Sequence, residues 1–123
     1  MTATWPGLVA AGLCLVGVHA SWVQAQSEWG DPSNGRQVYE QHCLRCHGEK
    51  LDGHGSEALS LIAPPTDLNS PLSRSKSDWE LLVPIYHGVM FTPMHAFRDR
   101  LPYDQIRDAL SYIRLMTAGG DPD

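Results

Sequence analysis

The stretch Cys43-Leu44-Arg45-Cys46-His47 decides how the rest of this 123-residue sequence is interpreted. A Cys-x-x-Cys-His sequence is the pattern by which haem is attached covalently to a protein. Two thiols must add to the two vinyl groups on one edge of the porphyrin, and cysteines three residues apart on a helical turn lie on roughly the same face. The histidine that follows is placed to bind the iron. The motif therefore predicts one covalent haem c on Cys43 and Cys46, with His47 as the proximal iron ligand.

Three other chemistries also use a pair of cysteines. A redox dithiol normally lies beside a β-α-β pattern, which this sequence lacks. A zinc site needs four ligands, and only His42 and His54 could join Cys43 and Cys46. A plain disulfide is common in exported proteins. The histidine directly after the second cysteine favours haem attachment over all three.

The N-terminal leader has the character of an export signal. The first 25 residues contain no Asp, Glu, Lys or Arg, and residues 7–18 form an apolar run. That run is shorter than a membrane span requires and fits the hydrophobic part of a secretory signal peptide. A buried core helix and a retained membrane anchor are the alternatives. We predict cleavage near Ala25, which would remove Cys14, then a linker over residues 26–33 and a domain over residues 34–123. The mature chain is expected to be periplasmic or secreted, without a membrane span.

Charge and helical periodicity indicate the class of the domain. The formal net charge is -5, which makes nucleic acid an unlikely partner. Capping residues and apolar spacing predict three main helices. The first runs from near Gly35, capped by Ser33 or Asn34, into Cys43. The second runs from Ser77 or Asp78 to Gly88, with a kink or restart at Pro84, and the third from near Pro102 to Gly119. Residues 49–77 are predicted to be loop with one helical turn near residues 57–62. No strand pattern is found, so the fold class is all-α, with long loops wrapped around one haem.

The chain resembles the class I cytochromes c. In that family a glycine and an aromatic residue precede the first haem cysteine at four-residue steps, as Gly35, Tyr39 and Cys43 do here. The terminal helix of the family carries an aromatic residue that crosses this glycine, so the resemblance implies that Tyr112 packs on Gly35. Close approach of two helices requires a residue without a Cβ atom. Residues 63–68 resemble a haem-lining loop, in which a backbone carbonyl accepts the second N–H of the proximal histidine.

The same resemblance implies the second iron ligand. The family places a methionine shortly before the terminal helix, and Met94 in Thr92-Pro93-Met94-His95 has that position. Proline usually follows that methionine, whereas this chain has His95. Met90, His95 and His87 are the rival ligands. Arg98 and Arg100 are candidates to pair with the haem propionates, with a solvated surface role as the alternative.

These residues together predict a one-electron carrier rather than an enzyme. His/Met ligation favours ferrous iron, and a haem with both axial positions filled has no place for substrate. The expected partners are redox proteins that bind transiently to a monomer. One alternative is a haem c subunit that acts as a fixed relay in a larger oxidoreductase. The other is a haem sensor or peroxidase-like protein with a weak or absent sixth ligand.

Overall fold

The computed structural model describes Met1 and residues 29–120. The rest of the predicted signal peptide and its cleavage site lie outside the described residues, so both stay predictions. All regular structure in the described part is helical, which confirms the all-α prediction. The elements in chain order are α1 (Pro32–His42), α2 (Leu44–His47), a 3-10 turn (Ala58–Ser60), α3 (Pro71–Arg74), α4 (Asp78–His87) and α5 (Tyr103–Thr117). No helix in the described part is long and apolar enough to cross a membrane.

Helix α1 begins earlier than the sequence predicts. Asp31 is its N-cap, and the Asp31 side chain accepts a 2.8 Å hydrogen bond from the Ser33 N–H. Pro32 occupies the first helical position, where its fixed φ suits a helix and its missing N–H costs nothing. The prediction of a start near Gly35 was wrong because Asp31 is also held from a distance. Its own N–H donates to Asp108 on α5 at 2.7 Å.

Helix α3 was missed by the sequence analysis, which predicted loop throughout residues 63–77. Ser70 caps it, accepting a hydrogen bond from the Ser73 N–H, and Pro71 follows at the first position. A four-residue helix is too short to show a period in its apolar residues. The Ser70 cap and Pro71 were the two features of the sequence from which this helix could have been predicted.

Helix α4 starts as predicted and runs through its proline without restarting. Ser77 and Glu80 form a reciprocal capping box, in which each side chain satisfies a backbone N–H of the other residue. Pro84 lies inside the helix, which ends at Gly88 with a φ of 75°. The buried residues of α4 are Leu81 and Leu82, whereas Trp79 on the same helix is 63% exposed.

The long terminal helix α5 crosses α1 at Gly35. A Cβ atom there would collide with the backbone carbonyl of Asp108 and lie 3.0 Å from the Ala109 nitrogen. The predicted crossing of the terminal helix at this glycine is therefore present, but the residues nearest to Gly35 are Asp108 and Ala109 rather than the predicted Tyr112. Tyr112, one turn further along α5, packs on Tyr39 with ring centroids 5.2 Å apart.

Two groups of buried side chains make up the core. One joins α1 to α5 and consists of Tyr39, Leu51, Tyr112 and Ile113. The other joins α4 to α5 and consists of Leu81, Leu82, Phe97, Ile106 and Leu110. Ile85 packs against both groups. Together they hold α1, α4 and α5 around a cleft.

Candidate haem site

An open cleft with largely apolar walls contains most of the residues that the sequence singled out. Its walls are the end of α1 with α2, the loop of residues 61–68, α4, and the loop of residues 88–97. Apolar side chains from each wall face it, including Leu61, Leu68, Leu81, Ile85, Phe97 and Ile113. Such a cleft suits a flat apolar group with a few polar attachment points.

The two cysteines of the motif are free thiols at the edge of this cleft. Burial raises the pKa of Cys43 to about 12, and the neighbouring Cys46 adds to the shift. Reactive redox thiols instead have lowered pKa values in electropositive surroundings. The buried surroundings of Cys43 therefore differ from those typical of a redox dithiol, and the two thiols are not joined to each other.

The turn that carries the motif is held by the loop that follows it. The N–H of Gly55 donates to the Cys46 carbonyl at 3.0 Å, and the N–H of Glu57 donates to the Arg45 carbonyl at 2.8 Å. A side chain at position 55 would collide with the Arg45 carbonyl. The following loop thus binds the backbone of this turn at two successive carbonyls, which restricts the position of Cys46.

His47 has a defined tautomer in this site. Its Nδ1 lies 3.2 Å from the Thr66 carbonyl oxygen, and because a carbonyl can only accept, Nδ1 must carry the proton. Nε2 is then left with a free lone pair. Burial lowers the pKa of His47, and the bond to Thr66 opposes this only in part. The ring is therefore neutral at neutral pH, the form that binds metals.

The Thr66 carbonyl is itself held by tight backbone packing. Gly53 donates its N–H to the His47 carbonyl at 2.9 Å, and a Cβ atom on Gly53 would lie 2.6 Å from the Pro65 carbonyl oxygen. Only a residue without a side chain leaves room for this approach, and its φ of 81° also favours glycine. The family resemblance predicted such a carbonyl in residues 63–68, and the structure identifies it as that of Thr66.

The loop of residues 88–97 presents Met94 to the same cleft. The N–H of Val89 donates to the Met94 carbonyl at 2.8 Å, and the N–H of Met94 donates to the Thr92 hydroxyl at 3.2 Å. The Phe97 N–H donates to the Ile85 carbonyl and ties the loop to α4. Met94 is half-buried, packs against the core and lines the cleft. The hydrogen bonds of its loop therefore hold Met94 on the cleft wall.

The rival ligands are placed less favourably. Met90 is 79% exposed and does not line the cleft. His87 is exposed, and its Nδ1 lies 2.9 Å from an Arg98 guanidinium nitrogen. His95 does line the cleft, but its Nε2 accepts a hydrogen bond from Arg100 at 2.7 Å. Of the four candidates, Met94 alone combines a place on the cleft wall with no competing partner on its side chain within the described residues.

The alternative zinc site does not assemble. Within residues 29–120, no three His, Cys, Asp or Glu side chains converge as a metal site. His54 is strongly exposed and pairs with Asp52 instead. The cleft brings together the two motif thiols, the His47 imidazole and the Met94 thioether, a donor set that fits a haem with covalent and axial attachment.

Two residues of the cleft wall were not proposed from the sequence as part of the haem site. His42 lines the wall beside Cys43, with its ring edge-on to Phe97 at 6.0 Å. Lys76 lines another wall, whereas the propionate candidates Arg98 and Arg100 do not reach the lining. Lys76 lies in the polar stretch Arg74-Ser75-Lys76-Ser77-Asp78, so nothing in the sequence distinguished it from its neighbours.

Comparisons with known proteins identify the family to which the domain belongs. The family model described as cytochrome c oxidase, cbb3-type, subunit III matches residues 30–113. Among curated proteins, a subunit of the nicotinate dehydrogenase of Pseudomonas putida (strain KT2440) is 32% identical over 97 residues, which cover 73% of this chain. The chain spans only 8% of the length of that relative. The resemblance predicted from the sequence is confirmed: the chain belongs to this family of c-type cytochrome domains, whose role is electron transfer by haem.

Proposed function

We propose that the chain is an exported one-electron carrier with a single haem c, bound covalently through Cys43 and Cys46 and ligated by His47 and Met94. The observation that carries this proposal is the convergence of both free thiols, the tautomer-defined His47 and the Met94 thioether on one apolar cleft. When bound, the haem supplies an iron that cycles between the ferric and ferrous states.

Each residue has a distinct task in this proposal. The Thr66 carbonyl orients the His47 ring and makes it a better donor. The thioether of Met94 is a soft ligand that favours ferrous iron and raises the reduction potential. The apolar walls exclude water, which keeps the ligand set unchanged while the electron moves. If His47 and Met94 both ligate the iron, no coordination position remains there for a substrate.

A fixed relay in a larger oxidoreductase is the second candidate. It is favoured by the relative named as a dehydrogenase subunit, of which this chain matches only a small part. A fixed relay would copurify with a larger chain, and its reduction would not depend on salt. A transient carrier with a net charge of -5 would be reduced more slowly by its partner as salt rises.

The test begins with the intact mass of the protein made in a host that matures c-type cytochromes. We expect the mass of the chain from Gln26 onward plus one haem, and a Cys43→Ala, Cys46→Ala double variant without haem. A haem-free mass for the wild type would contradict the attachment, and retention of residues 1–25 would contradict the cleavage.

The sixth ligand is tested with Met94→Ala, with Met90→Ala as its matched control. Loss of the thioether is expected to abolish the weak far-red charge-transfer band of the oxidised protein, lower the potential and open the iron to carbon monoxide. Met90→Ala should leave all three unchanged, because that side chain points away from the cleft lining into solvent. If Met94→Ala changes none of them, a histidine or an open site is the correct assignment. An open site would favour a sensor or a peroxidase-like protein.

A further inference from the structure

Lys76 is the one residue with a formal charge, histidines apart, among the described residues that line the cleft. The chain has only two lysines, Lys50 and Lys76. Lys50 is exposed on the surface, whereas Lys76 is half-buried in the segment between α3 and α4. A cation on the wall of an apolar cleft is costly unless an anion compensates it.

No carboxylate within residues 29–120 forms an ion pair with Lys76. Most arginines of the described part are paired with acids, as Arg45 is with Glu57. The acid four residues beyond Lys76 is already engaged, because the Glu80 carboxylate accepts hydrogen bonds from the Ser77 N–H and hydroxyl, both at 2.7 Å. These Ser77 bonds are the main cause of the lowered pKa of Glu80, and Lys76 contributes least to it. Within the described residues Lys76 therefore forms no ion pair, and its ammonium is available to an anion bound in the cleft.

The backbone at Lys76 is held in place by α5. Arg114 donates from Nη2 to the Lys76 carbonyl at 2.5 Å and from Nη1 to the Arg74 carbonyl at 3.4 Å. Its Nε forms a 2.6 Å ion pair with Asp78, the first residue of α4. Arg114 is half-buried and thus joins the end of α3 and the start of α4 to the terminal helix. This arrangement fixes the backbone of Lys76 beside the cleft.

We infer that Lys76 binds a propionate carboxylate of the haem in this cleft, with Arg114 as its positioning residue. The inference rests on the proposed haem site. Haem carries two carboxylates on an otherwise apolar ring, so its insertion would bring an anion into the cleft. An ammonium–carboxylate pair there is a charge-assisted hydrogen bond, and it compensates two charges that would each be costly alone. Arg98 and Arg100, the candidates from the sequence, lie outside the cleft lining and bond to His87 and His95.

The test compares Lys76→Gln and Lys76→Arg with Lys50→Gln, which removes the same charge at an exposed site. The first measurement is the propionate bending band in the resonance Raman spectrum, which responds to hydrogen bonds on the carboxylate. We expect Lys76→Gln to shift this band, Lys76→Arg to retain most of the wild-type position, and Lys50→Gln to leave it unchanged. An unshifted band in Lys76→Gln would overturn the inference.

The second measurement is the reduction potential of the same proteins. Loss of a cation beside the haem leaves its carboxylate uncompensated, which favours the more positive ferric form, so Lys76→Gln should have the lower potential. Equal potentials for Lys76→Gln and Lys50→Gln would overturn the inference. The intact mass of each variant separates this result from failure of the proposed function, since a wild type without haem would refute the site itself.

A third measurement needs no variant. In the haem-loaded wild type, Lys76 should react with an amine-acetylating reagent several-fold more slowly than Lys50, because an ammonium bound to a carboxylate in the cleft is less accessible to the reagent. The difference should disappear on denaturation. Equal rates in the native protein would contradict a bound carboxylate at Lys76.

Discussion

Replacement of Gly35 by alanine should strongly destabilise the domain, although it adds a better helix former. The new Cβ would collide with the backbone carbonyl of Asp108, and it would lie 3.0 Å from the Ala109 nitrogen. Backbone atoms cannot swing aside as a flexible side chain can, so α5 would have to move away by about 1 Å. That movement would loosen the packing of Tyr39 on Tyr112, whose ring centroids are 5.2 Å apart.

The stabilising and destabilising effects of this substitution differ enough to decide whether the free energy of unfolding rises or falls. Alanine gains about 1 kcal/mol over glycine inside a helix. Overpacking costs about 1–3 kcal/mol where side chains can adjust, and a contact of backbone on backbone belongs at or above the upper end. Weakening of the aromatic pair adds about 0.5–1.5 kcal/mol. We therefore expect Gly35→Ala to lose about 2.5–3.5 kcal/mol, which corresponds to a fall in Tm of roughly 10–28 °C for a domain of this size.

Thermal and guanidinium unfolding of the haem-loaded ferric protein would measure this loss, with haem absorbance and far-ultraviolet circular dichroism as the two signals. Asn34→Ala is the matched control, since Asn34 is the exposed neighbour of Gly35 in the same helix. We expect the control to lie within about 0.5 kcal/mol of the wild type. A Gly35→Ala protein as stable as the control would refute the argument that close backbone approach sets this crossing.

Two further substitutions test local features of the fold. Ser77→Ala removes the side-chain half of the capping box of α4 and should cost about 1 kcal/mol in guanidinium unfolding; an unchanged unfolding midpoint would contradict the importance of the cap. Tyr39→Phe removes a buried hydroxyl that donates to the Gly48 carbonyl at 2.7 Å, and the unsatisfied carbonyl should cost about 1–3 kcal/mol. The matched control is Tyr103→Phe, since Tyr103 is 50% exposed; equal losses in the two variants would contradict the role of the buried bond.

The helices illustrate where prediction from sequence succeeds. The start of α4 was predictable because its capping box involves residues only three positions apart. The apolar stripe of α5 likewise lies within one element. The start of α1 was not predictable to the residue, because the Asp31 N–H is bound by Asp108, 77 positions away.

In the candidate site, too, some features were predictable from the sequence and others depended on the tertiary structure. The sequence by itself determined the attachment motif and nominated His47 and Met94, because the motif is five consecutive residues and the methionine has a fixed place in the family. The tertiary structure identified the Thr66 carbonyl as the partner of His47, 19 residues away. It also showed that Met94 lines the cleft whereas Met90 is exposed, and that Lys76 lies on the cleft wall. The physical reason is that spacing along the chain fixes hydrogen bonds within a turn or a helix, whereas burial, ring tautomer and uncompensated charge depend on which distant segments pack together.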